Sequence, residues 1–119
     1  MAPRLDDAAR ALLPLTPAVL HILLSLSAED RHGLGIAADV KDFTHGRLVL
    51  GPGTLYGTIK RLLESGMVED LGQPSSEDDD PRRRYYRITP LGRRALELET
   101  QGIESILNVA KRRRVLRTS

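Results

Sequence analysis

The chain has 119 residues, enough for one domain with a modest single core and too few for two. With 40% hydrophobic, 29% charged and only 3% aromatic residues, it reads as a soluble globular protein whose core must be aliphatic. The formal charge of +2 is small but unevenly placed. Glu77 to Asp80 are acidic, whereas Arg82, Arg83, Arg84, Arg87, Arg93, Arg94 and Lys111 to Arg114 make the second half basic, which suits a polyanion such as nucleic acid. Cysteine is absent, excluding a disulfide framework and a thiolate metal site. The apolar run Ala18 to Leu26 is too short to span a bilayer and the polar start lacks a signal core, so a cytoplasmic location is expected.

In chain order, residues 1–13 read as a flexible arm or a short extra helix. Thr16-Pro17 is a helix start, with Thr as N-cap and Pro in the first turn, where its missing N–H does no harm. Val19, Ile22, Leu23 and Leu26 then form one stripe, widened by Leu20 and Leu24, so this helix is central. A shorter helix is predicted from about Leu34 to Phe43, burying Leu34, Ala37 (or Ala38) and Val40. A turn over Thr44 to Arg47 and an extended Leu48 to Leu50 lead into a third helix through Gly51-Pro52.

The third helix carries the most information. Leu55, Ile59, Leu62 and Leu63 stand at i, i+4, i+7 and i+8, the spacing of a buried stripe. At about 100° per residue the opposite face holds Gly53, Gly57, Lys60, Arg61 and Glu64, with Tyr56 on the flank. Gly57 costs about 1 kcal/mol relative to Ala in a helix, and one reason for so small a side chain is close approach of a large partner. Gly66 ends the helix as a C-cap. Met67-Val68 begins a strand, residues 72–81 read as an acidic loop, and Arg83 to Thr89 as a second strand with Tyr86 and Ile88 on one face. These two strands make a hairpin.

Thr89-Pro90 repeats the cap of Thr16-Pro17 and opens a long helix to about Arg113. Its apolar set, Leu91, Ala95, Leu98, Ile103, Ile106, Leu107 and Ala110, is wider than one small core needs, and we assign it to dimerisation. The fold class is therefore mainly α with a small β-hairpin (α+β): a winged helix-turn-helix domain over residues 14–89, and a C-terminal dimerisation helix with a basic tail over residues 90–119. In that plan the third helix enters the major groove and the hairpin, the wing, lies along the DNA backbone or minor groove.

Gly53-Thr54-Leu55-Tyr56, Ile59-Lys60-Arg61-Leu62, Gly66-Met67-Val68 and the run Arg84 to Gly92 resemble the PadR family of transcriptional regulators, as do His32-Gly33 and Ile36-Ala37 upstream. The likeness covers about Leu15 to Leu107. It implies a homodimeric, mostly repressing regulator on a roughly palindromic operator, and a small hydrophobic or phenolic effector in some members. The chain departs from the family in lacking Trp, used for stacking by some drug-binding members, and in its acidic wing tip. The expected DNA contacts are Gly53, Thr54, Tyr56, Gly57, Lys60 and Arg61 on the helix and Arg82, Arg83 and Arg84 on the wing. Cofactors and metals are not expected: His21, His32 and His45 lack ligand spacing, and no nucleophile–base pair or phosphate cradle supports an enzyme. The competing reading is a winged-helix protein-interaction module without DNA binding; cations on both helix and wing favour DNA.

Overall fold

The computed structural model describes residues 2–72 and 83–117. In chain order its elements are α1 (Ala2–Ala11), α2 (Pro17–Ala28), β1 (Arg31–His32), α3 (Gly33–Phe43), α4 (Pro52–Glu64), β2 (Val68–Gly72), β3 (Tyr85–Ile88) and α5 (Pro90–Arg112). The fold is mainly α with a small antiparallel sheet, as the sequence indicates. The wing tip lies outside the described residues, with it Arg82 and the acidic Glu77 to Asp80.

Local chemistry sets the helix ends. Thr16 Oγ1 accepts the Val19 N–H at 3.3 Å and Thr89 Oγ1 accepts the Gly92 N–H at 3.1 Å, so both Thr-Pro pairs act as caps. The Thr89 hydroxyl also donates to the Gly66 carbonyl at 2.5 Å, joining the end of α4 to the start of α5. Gly66 takes φ +80°, and the Met67 and Gly66 N–H groups return to the carbonyls of Leu62 and Leu63, a Schellman ending that glycine adopts without a Cβ penalty. Gly92 is held for a different reason: a Cβ there would collide with the Met67 carbonyl.

One continuous core joins these elements. Ile22, Leu23 and Leu26 of α2, Ile36 and Val40 of α3, Leu55, Ile59 and Leu62 of α4, Val68, Tyr86 and Ile88 of the sheet, and Ala95 and Leu96 of α5 are all buried. Each Leu or Ile fully buried here contributes about 1.5–3 kcal/mol. Helix α1 lies along α5, where Ala9 is fully buried and the Arg94 guanidinium holds Asp6 at 2.7 Å.

Two expectations are corrected. Leu34 is 53% exposed, not buried. Because α3 begins at Gly33, the i, i+4 pair facing α2 is Ile36 and Val40. The sheet also has three strands in the order β1-β3-β2, not two, with Arg31 opposite Tyr86 and His32 opposite Tyr85. A two-residue strand has no period to read; it exists because β3 offers an edge.

Candidate nucleic-acid interface

Helix α4 divides cleanly. Leu55, Thr58, Ile59 and Leu62 are buried, while Gly53, Thr54, Gly57, Lys60, Arg61 and Glu64 are exposed. Thr58 is an addition to the expected stripe, and Leu63 is only partly buried. Nothing lies within 4 Å of where a Cβ would stand at Gly53 or Gly57, so no contact within the described residues requires glycine at either position. Lys60 and Arg61 form no ion pair among the described residues. The face is smooth, cationic and uncommitted.

Tyr56 is turned the other way. It rests on the start of α3, where a Cβ at Gly33 would lie 2.6 Å from the Tyr56 hydroxyl, and that oxygen is out of contact with solvent. Tyr56, named among the expected DNA contacts, thus has its hydroxyl turned into the fold. Gly33 makes the room for it. Its neighbour across the junction is Tyr86, whose hydroxyl is pushed up in pKa, first by burial and then by Asp70 and Tyr56.

The strands carry cations of a different kind. Arg84 Nε sits 2.8 Å from Asp70 on β2. Arg87 grips Asp30 with two hydrogen bonds of 2.8 and 3.2 Å and lies 3.9 Å from Glu69. The hydrogen bonds from Arg87 hold the Asp30 carboxyl below the usual carboxylate range, and Asp30 in turn raises Arg87. Of the three wing arginines expected to meet phosphate, Arg82 lies outside the described residues, Arg83 is exposed, and Arg84 already faces a carboxylate. The ion pair with Asp70 ties Arg84, just before β3, to β2.

The apolar set assigned to dimerisation divides as well. Ala95 is fully buried, and Leu91 and Leu98 pack against the chain's own core, because α1 and α2 cover the first half of α5. Ala95, expected at the interface, is a core residue, and Leu91 and Leu98 are partly buried against that core. Leu96, missed from sequence, is buried with them. Beyond Thr100 the helix is bare: Ile103, Ile106 and Leu107 are exposed, Ile106 to 71%, and Ala110 is half-buried.

Among the described residues, no group of three or more His, Asp or Glu is disposed to hold a metal ion, and no helix is long and apolar enough to cross a membrane.

A helix pair with an exposed second helix, backed by a three-stranded wing and followed by a long helix, defines the class: a winged helix-turn-helix protein. The profile of the PadR-like family of transcriptional regulators matches residues 19–98, and the chain belongs to that family. It is 36% identical over 87 residues to the transcriptional regulator Rv3488 of Mycobacterium tuberculosis, covering 73% of this chain and 76% of that protein. Among solved structures it is similar to a PadR family transcription regulator from Clostridium difficile, with a TM-score of 0.68, 25% identity and coverage of 82% of this chain and 97% of that one. A transcriptional regulator from Clostridium thermocellum gives a TM-score of 0.65 at 25% identity over 89% of this chain and 93% of the other. The family resemblance in the sequence is borne out, and with it a regulator of transcription.

Proposed function

We propose that the chain is a sequence-specific binder of double-stranded DNA that works as a homodimer and represses transcription by occupying a palindromic operator. The observation that carries this reading is the outward face of α4, where Lys60 and Arg61 are exposed beside two glycines that no contact among the described residues explains. Such a face can approach a groove closely, with Thr54 at its leading end. Arg83 adds a cation at the wing.

The exposed half of α5 supplies the second head. Ile103, Ile106 and Leu107 form an apolar patch that pairing about a two-fold axis would bury. Two recognition helices would then stand about 34 Å apart, one DNA turn, and linking two weak heads multiplies affinity. A small hydrophobic or phenolic effector would act at the seam between the paired helices and relieve binding. This work belongs in the cytoplasm.

Sequencing the DNA that crosslinks to the protein in cells identifies the operator; recovery of no enriched site would overturn sequence-specific binding. Sedimentation at micromolar concentration tests the pairing: the full chain should be a dimer, and truncation after Thr100 should abolish the dimer and most DNA affinity. A full-length monomer, or a truncated chain that binds as tightly as the intact one, would contradict it.

A further inference from the structure

We propose that His32 is a positioning residue for DNA reading: its neutral imidazole caps α3 at the junction of wing, α3 and recognition helix, so that acid weakens the hold on DNA. This rests on the reading of α4 as a DNA-binding helix.

His32 is the last residue of β1 and the N-cap of α3, with φ −82° and ψ 167°, and its Nδ1 accepts the Gly35 N–H at 2.9 Å. The usual residues for this task are Asn, Asp, Ser and Thr, whose oxygens accept at any ordinary pH. An imidazole nitrogen accepts only when it carries no proton. With Nδ1 accepting, the neutral ring keeps its proton on Nε2. Protonation turns Nδ1 into a donor facing a donor, and sets a positive charge at the positive end of the helix dipole.

Among the described residues, the charged groups around the ring are paired with one another. Arg31 precedes it on β1, with its guanidinium 3.3 Å from Glu29 and 3.6 Å from Asp39 of α3. From β3, Tyr85 meets the ring edge-on at 5.4 Å; to either side of it, Arg84 faces Asp70 and Arg87 faces Asp30. From α4, Tyr56 covers Gly33. Among the described residues, no carboxylate pairs with His32 itself.

The place of this cap gives it reach. His32 is the register partner of Tyr85 on the wing strand, and the next residue, Gly33, is the seat of Tyr56 from the recognition helix. Opening the first turn of α3 therefore loosens both DNA-contacting elements at one point. The other histidines are not used in this way: His21 Nδ1 lies 2.6 Å from the Pro17 carbonyl, where a ring proton is required, and His45 is exposed in the turn after α3.

The test compares the wild type with His32→Asn and His32→Ala for affinity to a random-sequence DNA duplex between about pH 7.5 and 5.5, the range in which histidines change charge. Asn caps without titrating. At the upper pH the wild type and His32→Asn should bind alike, up to about fivefold tighter than His32→Ala, the effect of losing one N-cap. At the lower pH the wild type should fall to the level of His32→Ala or below it, while His32→Asn keeps its lead. Ratios between variants cancel any pH dependence that the variants share. Asp6 and Asp30 stay ionised over this range, because their arginines hold both carboxyls below the usual values. Hydrogen exchange of the Gly35 amide should show the same pH-dependent loss of protection in the wild type relative to His32→Asn. A wild type that tracks His32→Asn at both pH values overturns the proposal alone. Failure of every variant to bind DNA at any pH overturns the DNA reading and the proposal together, even if the Gly35 amide behaves as expected.

Discussion

The cations of α4 and those of the wing strands look alike in the sequence and are held differently in the fold. Lys60 and Arg61 project from a helix face that also carries Glu64, and neither forms an ion pair among the described residues. Arg84, just before β3, faces Asp70, and Arg87 on β3 faces Asp30 and Glu69. A strand in a small sheet places cross-strand neighbours within reach of each other, so opposite charges there find partners. On an outward helix face, charges at adjacent positions diverge. The difference teaches that counting basic residues does not count available cations: those of the wing strands face carboxylates, whereas Lys60 and Arg61 form no ion pair among the described residues.

The largest expected effect is on the open side of the comparison. Replacing Lys60 and Arg61 together by Ala should lower affinity for the operator by about a hundredfold, taking each contact at about 1–3 kcal/mol. Thermal unfolding should hardly move, since exposed substitutions usually stay within about 0.5 kcal/mol. A large drop in melting temperature would show that these cations hold the fold instead.

Gly57→Ala separates stability from binding. An exposed helical glycine costs about 1 kcal/mol relative to Ala, so the variant should unfold at higher denaturant. Its DNA affinity should nevertheless fall, by about tenfold if the added methyl holds the helix off the groove at the cost of one contact of about 1–3 kcal/mol. Stabilisation without any loss of affinity would mean that DNA does not approach this point closely.

A smaller effect is expected where the charge is already answered. Asp70→Asn removes one carboxylate partner of Arg84, and affinity for random DNA at low salt should rise a few-fold, with a salt slope steeper by about 0.9 per phosphate newly met. An unchanged slope would show that Arg84 stays away from the backbone even without that partner.

The smallest effect concerns acid. The Asp30 carboxyl lies below its ordinary value in the folded chain because Arg87 donates to it. The folded state therefore prefers the ionised form, so this pair's contribution is full above the ordinary carboxylate pKa and is lost as pH falls through the lowered one. The stability difference between wild type and Asp30→Asn, read from denaturant titrations, should be present near neutrality and shrink in that acid range. A difference that grows toward acid would contradict the pairing.

What was legible in the sequence was local. Thr16-Pro17, Thr89-Pro90 and Gly66 declare helix ends because a cap involves residues three or four apart, and the stripe of α4 declares its buried face because its period is fixed by the backbone. What was not legible depended on distant chain. Arg87 finds Asp30 across 57 residues. Strand β1 forms only because β3 is beside it, and Tyr56 turns inward only because Gly33 leaves space on another helix. The apolar set of α5 shows in its spacing, but its division needs α1 and α2, whose docking covers Ala95 and stops short of Ile103. His32 carried a faint signal, a nitrogen acceptor three residues before an unsatisfied helix N–H, that only the fold makes specific.

The most direct test is the salt dependence of binding to a random-sequence duplex, measured for the wild type, Lys60→Ala/Arg61→Ala and Arg84→Ala/Arg87→Ala. The slope of log K against log salt counts phosphates neutralised, about 0.9 each. Loss of the α4 pair should flatten it by about 2 for each bound head, one unit per lost contact, and loss of the strand pair by less than half as much. Equal flattening, or a larger one from the strand pair, would contradict the assignment of α4 as the free cationic surface that meets DNA.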